Sequence, residues 1–196
     1  MYRRAVVVSL ALTAIGAALR LRVIRADEIA PPAGTEIAFD LVDTKGEAVR
    51  GTDLRGRWVL VSFGYTFCPD LCPTVLNEIA GALALLGPLA ARVQPVFVSI
   101  DPHRDTPDAL REYVQAFDER ILPLTGTPDQ LARAAKAFGV AYFKVPGSAQ
   151  DDYTFAHSAI MTLIGPEGGL VLRFSADASA ERIASTVRKL IDASSS

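Results

Sequence analysis

Cysteine is nearly absent from this chain. Cys68 and Cys72 are the only two in 196 residues. That scarcity excludes a disulfide-stapled scaffold, which needs several bridges to replace a core. One bridge across so short a loop restricts the unfolded chain little, so the pair reads as functional rather than structural. Histidine is equally scarce, at positions 103 and 157. Beyond Met1 there is one methionine, Met161, and it sits in an apolar run that reads as core. No internal repeat occurs, and no run of basic residues carries interleaved aromatics. Of the 20 basic residues, five fall in residues 1–26, where none of the 22 acidic residues lies. The remainder holds 15 basic against 22 acidic residues, a formal −7. A domain of that sign is not expected to bind nucleic acid.

The N-terminus also lacks a long apolar run. The uncharged stretch Ala5–Leu19 has 15 residues, a helix of about 22 Å against a hydrocarbon core of ~30 Å. Arg3 and Arg4 precede it, and Arg20, Arg22 and Arg25 follow. Extension to Ile24 includes Arg20 and Arg22, which can snorkel near the interface. The segment reads as a secretory signal peptide or a short membrane anchor. The anchor is favoured because no small-x-small cleavage site follows. The arginine balance leaves orientation open. Arg3-Arg4 lacks the flanks of a twin-arginine signal, and no cysteine is near enough for a bacterial lipid anchor. The expected organisation is residues 1–26 as signal peptide or anchor, 27–34 as linker with Pro31-Pro32-Ala33-Gly34, and 35–193 as one domain. Ser194–Ser196 is an expected frayed tail.

Half the residues are hydrophobic, enough for one sizeable core. The pattern predicts a strand over Ile37–Val42, a turn at Asp43–Gly46 and a buried strand over Trp58–Gly64. Pro73 suits the first position of a helix that Gly87-Pro88 stops. Val93–Ile100 is another apolar strand. Thr106-Pro107-Asp108 predicts a capped helix to about Phe117, and Ile121–Leu124 a short strand. Thr127–Gln130 has the form of a capping box, opening a helix to Phe138. Ala159–Ile164, the turn Gly165–Gly169 and Leu170–Phe174 predict a hairpin. A last helix runs over Ser179–Ile191. This order describes a thioredoxin-like α/β fold with a central sheet flanked by helices.

Cys68-Pro69-Asp70-Leu71-Cys72 then falls on a strand-to-helix loop. Two chemistries suit a thiol pair there: cycling between dithiol and disulfide, or holding a soft metal ion. Pro73 pushes Cys72 out of the helical region, towards the N-cap. Both sulfurs are therefore expected near a positive helix end, with lowered thiol pKa. The three-residue spacer leaves more room for an ion than a two-residue one, although a disulfide still closes across it. His157 precedes the strand Ala159–Ile164. Alone it reads as a half-buried strand-edge histidine; beside a dithiol it completes a set of two sulfurs and an imidazole, suited to Cu(I) and Cu(II).

The residues also carry a resemblance. The stretch from Val61 to Pro73, including Phe63-Gly64-Tyr65-Thr66-Phe67-Cys68-Pro69-Asp70-Leu71-Cys72, resembles the metal-binding signature of the Sco/SenC family. Phe39–Asp43, Leu54–Trp58, Ser99–Pro102, Arg104–Pro107, His157–Ala159 and Gly165–Gly168 fit the same pattern. The resemblance covers roughly residues 35–189. It implies a thioredoxin-fold copper protein that helps assemble the copper A centre of cytochrome c oxidase, with Cys68, Cys72 and His157 as ligands to one copper per chain. The implied partner is the copper-A subunit or another copper acceptor. The implied location is extracytoplasmic, in a bacterial periplasm, tethered to the inner membrane through the N-terminal segment if that is not cleaved.

Departures from the family pattern bear on the site. Many members have histidine before the first cysteine; here Phe67 offers no ligand. His103 occupies a position often acidic, and joins a Cys2His2 zinc set only with a spacing that matches no zinc finger. It reads as a solvated loop residue. Asp101 and Asp105 either border the metal or cap the following helix, with capping favoured for Asp105. Tyr65 and Phe67 either wall the site or pack in the core. The expected function is copper delivery by a metallochaperone rather than an enzyme. The alternative is a thiol-disulfide oxidoreductase, with Cys68 and Cys72 as its redox pair, that reduces the acceptor's cysteines. A peroxidase reading is weaker, because nothing beside Cys68 signals an activating base and arginine.

Overall fold

The computed structural model describes residues 34–148 and 152–194; the expected anchor lies outside the described residues. Strand β1 (Asp40–Asp43) turns back onto β2 (Ala48–Arg50). Asp43 builds the turn, its Oδ1 accepting from the amides of Lys45 at 2.8 Å and Glu47 at 2.9 Å. The expected strand from Ile37 is shorter than predicted. Ile37 and Phe39 are buried, but they precede the ladder.

Strand β3 (Trp58–Gly64) is buried along its whole length. It reads as a near-continuous apolar run, broken only by Ser62, because both its faces are covered. Trp58 and Leu60 meet helices α1 (Leu71–Leu86), α2 (Pro107–Gln115) and α4 (Ala180–Ala193). Val59, Val61 and Phe63 meet α3 (Pro128–Phe138) on the other face. Helix α1 links β3 to its parallel neighbour β4 (Val93–Ser99), and α2 links β4 to the parallel β5 (Leu122–Thr125). Strand β8 (Ile160–Ile164) runs antiparallel to β3 and hairpins into β9 (Leu170–Ser175). The sheet order is β2-β1-β5-β4-β3-β8-β9, the predicted thioredoxin-like layering.

Local signals act as expected. Thr106, Thr127 and Ser179 cap α2, α3 and α4 through their side chains, and α3 stops at Gly139 in the left-handed region, φ 64°. Leu71–Arg92 is long and apolar enough to cross a membrane. Leu76, Ile79, Leu83 and Leu86 on it are instead buried in the core. Not predicted is a hairpin outside the main sheet, β6 (Tyr142–Pro146) with β7 (Tyr153–His157).

Candidate metal centre

The site starts where β3 ends. The loop from Tyr65 turns tightly, with the Cys68 amide donating to the Tyr65 carbonyl at 3.2 Å. Buried Asp105 staples this loop to the end of β4. It accepts from the Thr66 amide at 3.0 Å, from Thr66 Oγ1 at 2.6 Å and from Ser99 Oγ at 2.6 Å. Helix α1 begins at Leu71, two residues before the expected start at Pro73, so Cys72 lies inside the first turn rather than at the N-cap. The Cys72 amide, one of the helix's orphan donors, points at Cys68 Sγ at 3.4 Å. Both cysteines are free; Cys72 is buried and Cys68 half-buried. Gly64 makes room for Cys72. A Cβ at Gly64 would stand 2.6 Å from Cys72 Sγ and 2.8 Å from the Phe97 ring.

His157 ends β7 and approaches from the hairpin. Its Nε2 lies 3.6 Å from Cys72 Sγ, and its Nδ1 lies 3.3 Å from the Ser158 carbonyl. A carbonyl only accepts, so the Nδ1 of the neutral ring carries the proton and Nε2 presents a lone pair to the thiols. Burial holds the His157 pKa below its ordinary 6.5, against the pull of the Ser158 carbonyl. The imidazole is therefore neutral at pH 7 and ready as a ligand. The ligating atoms of Cys68, Cys72 and His157 all lie within 4.8 Å of one another. Bonds of about 2.0–2.3 Å, typical of imidazole and thiolate, span at most about 4.6 Å between two ligands, so a shift of a few tenths of an ångström closes the three around one ion. Two sulfurs and one nitrogen are soft-to-borderline donors, which fits copper better than a hard cation.

The expected lowering of the thiol pKa does not hold for Cys72. Burial pushes this thiol well above its ordinary value, and its hydrogen bond with Cys68 pushes it further, against the Tyr65 backbone. The sulfur sits against Gly64 and the Phe97 ring rather than at the solvated helix rim. There desolvation of a thiolate outweighs the favour of the helix end. Without a metal, Cys72 is a neutral thiol, and ligation requires its proton to leave.

Other predicted residues divide. Tyr65 is both wall and core. It is buried, meets the His157 ring edge-on at 6.1 Å, and accepts from the Phe155 amide at 3.2 Å. Phe67 is neither, being 61% exposed with Arg104 over its ring. Asp105 does not cap α2, a task done by Thr106. Asp101 is buried and faces Arg104 and Tyr153 rather than the thiols. His103 is exposed and outside the cluster, so no Cys2His2 set forms among the described residues. Met161 is core. Sequence reasoning missed the row that leads away from the site along β7: Phe155 against Tyr65, Tyr153 against Phe155, and Arg104 over the Tyr153 ring. The alternation Tyr153-Thr154-Phe155-Ala156-His157 is the signal that marks β7. An open cleft of about 500 Å³ leads to Cys68 and His157, lined also by Tyr65, Leu71 and Phe155.

Known proteins resemble this chain in sequence and fold. Residues 27–192 match the family model described as SCO1/SenC. The mitochondrial SCO2 homolog of Mus musculus is 39% identical over 157 residues, 79% of this chain and 62% of that protein. The chain thus spans about three-fifths of that relative's length. The structure of Bradyrhizobium japonicum ScoI with copper bound is 36% identical, at a TM-score of 0.72, covering 81% of this chain and 99% of that one. Arabidopsis thaliana ScoI with copper bound is 33% identical, at a TM-score of 0.73, covering 80% and 98%. A thiol pair between β3 and α1, a histidine brought to it on a hairpin, and a match over most of the chain lead to one assignment: this chain belongs to the SCO1/SenC family.

Proposed function

We propose that this chain binds one copper ion through Cys68, Cys72 and His157 and delivers it to the copper-A subunit of cytochrome c oxidase or another copper acceptor during assembly. The observation that carries this reading is the convergence of two thiols and a neutral imidazole within 4.8 Å. Copper in the Bradyrhizobium and Arabidopsis relatives supports the choice of metal. Delivery needs a surface for the acceptor. Phe67, on the cysteine loop, and Leu71, the first residue of α1, are 61% and 46% exposed. Exposed apolar side chains beside a metal site suit protein docking. In this reading residues 1–26 hold the chain at the inner membrane or direct its export, 27–34 link, and 35–193 work in the periplasm.

The pH dependence follows from the buried thiol. The Cys72 pKa is raised above its ordinary 9.0, so the group stays protonated throughout the neutral range. Each copper bound there displaces that proton. His157 is already neutral above its lowered pKa and adds no slope. Apparent copper affinity should therefore rise by about tenfold or more per unit between roughly pH 7 and pH 9. Competition titrations across that range check this, and a flat profile excludes Cys72 thiolate as a ligand. The metal-free fold has the opposite dependence. A raised folded pKa contributes stability below 9.0 that is lost as pH climbs above it, because the unfolded thiol ionises first.

The second reading, a thiol-disulfide oxidoreductase, is favoured by the half-buried Cys68 at the open cleft. His157→Ala separates the two. It keeps both sulfurs and the first turn of α1, so reduction of a small disulfide should stay near normal. Cu(II) binding should fall by more than about tenfold, and Cu(I) binding by less, because Cu(I) can rest on thiolates alone. In cells the variant should remain folded, fail at oxidase assembly and recover with added copper. Normal oxidase activity at limiting copper would put the reductase reading first.

A further inference from the structure

His157 reaches the thiols on a hairpin that shares no ladder with the seven-stranded sheet. Ser158 and Ala159 join it to β8 of that sheet at one end, and contacts along β7 hold it from the other. Tyr153, Phe155 and His157 alternate along β7, so their side chains share one face of the strand. Each of the first two is tied to the body of the domain. Tyr153 Oη donates to Asp101 Oδ1 at 2.8 Å, and Arg104 Nη1 donates to the Tyr153 carbonyl at 3.0 Å. Arg104 Nε donates to Asp101 Oδ2 at 2.5 Å, and the guanidinium lies 3.6 Å from the Tyr153 ring centroid. Phe155 donates its amide to Tyr65 Oη at 3.2 Å. Asp101 is 2% exposed and the Arg104 side chain 18%. Such a buried pair stabilises a fold little compared with apolar packing. What it supplies is direction, because a guanidinium fork and a carboxylate orient each other.

From these contacts we propose that Asp101, Arg104 and Tyr153 form a clamp that positions His157 against Cys68 and Cys72. They are positioning residues: none belongs to the ligand cluster, and each acts through the hairpin. The clamp grips β7 four residues before His157, about 13 Å along the strand. Tyr65 holds it midway, at Phe155. Asp101 and Arg104 follow β4, in the same loop whose Asp105 fixes the cysteine segment through Thr66. One loop thus registers both halves of the site, the thiols through Asp105 and the imidazole through Asp101 and Arg104. This inference rests on the copper reading for the ion, but its geometry is independent of any metal.

The test uses the full chain with Tyr153→Phe, which removes one oxygen and keeps the ring, and with Arg104→Gln. Each is made alone and combined with His157→Ala. Tyr153→Phe should weaken Cu(II) binding by about tenfold, the scale of one lost hydrogen bond to a charged group. The thiolate-to-copper absorption should shift towards that of His157→Ala, and the melting temperature should fall by only about 3–6 °C, leaving the domain folded. In the His157→Ala background neither clamp variant should weaken copper further, because the clamp acts only through that imidazole. Wild-type Cu(II) affinity and spectrum in Tyr153→Phe overturn the proposal. So do losses that add to that of His157→Ala. If Arg104→Gln does not fold, Tyr153→Phe decides alone. A wild-type chain that takes no copper defeats the copper reading instead, and the clamp is then judged on metal-free protein. There the Phe155 amide should exchange its hydrogen about tenfold faster in Tyr153→Phe. An unchanged rate overturns the clamp.

Discussion

Cys72→Ser should end tight copper binding while the domain stays folded. Serine is slightly smaller than cysteine, so it enters the close space against Gly64 without a clash. It replaces the softest donor by a hydroxyl that does not ionise at neutral pH and suits hard cations. Two ligands then remain, one sulfur and one nitrogen. The loss should far exceed the about 10–100-fold that changes outside the ligand set cost. Cys68→Ser should act in the same direction, because its sulfur is the other thiolate of the set. Wild-type chain should carry one copper, and neither variant should hold it against a chelator that wild type resists. Metal analysis after dialysis and an anaerobic Cu(I) competition titration give the two numbers. Full tight binding by both single-cysteine variants would remove Cys68 and Cys72 from the proposed site.

An equally large effect is expected from oxidation. Joining Cys68 to Cys72 removes two electrons and both thiol protons, and neither sulfur in the product is a thiolate. His157 alone is then left of the set. Copper affinity should collapse and return when the pair is reduced, making copper loading and thiol redox state one switch. The measurement is copper retention by oxidised and re-reduced chain, with free thiols counted in each sample. An oxidised chain that holds copper as tightly as the reduced one contradicts the switch. The same experiment bears on the reductase reading. A chain that passes its electrons to an acceptor's disulfide leaves its own site in the form that cannot hold copper, so delivery and reduction compete for the same two sulfurs.

Much of the frame is legible in the residues alone, because its signals are local. The run Trp58–Gly64 is apolar but for Ser62 and reads as a strand covered on both faces. Thr106-Pro107, Thr127 with Gln130, and Ser179 announce helix starts through caps that act within three residues, and all three are used. The place of Cys68 and Cys72 between β3 and α1 follows from the same reading. Strand β2 and the β6–β7 hairpin escape it. They are short and half-exposed, and their stability comes from partners rather than from periodicity.

The sequence by itself determined the alternation of strands and helices, the thiol pair on its loop, and His157 as the one other candidate ligand worth pairing with it. The tertiary structure alone decided three further matters. It placed Cys72 inside the first turn of α1, against Gly64 and Phe97, where burial raises the thiol pKa that a helix start was expected to lower. It turned Asp105 from a helix cap into a staple for the cysteine loop, and Asp101 into a holder of Arg104 and Tyr153. It also brought His157 to 3.6 Å from a sulfur 85 positions earlier in the chain. Caps and periodicity act between neighbours and can be read along the chain. Desolvation and distant partners exist only once the chain has closed around them.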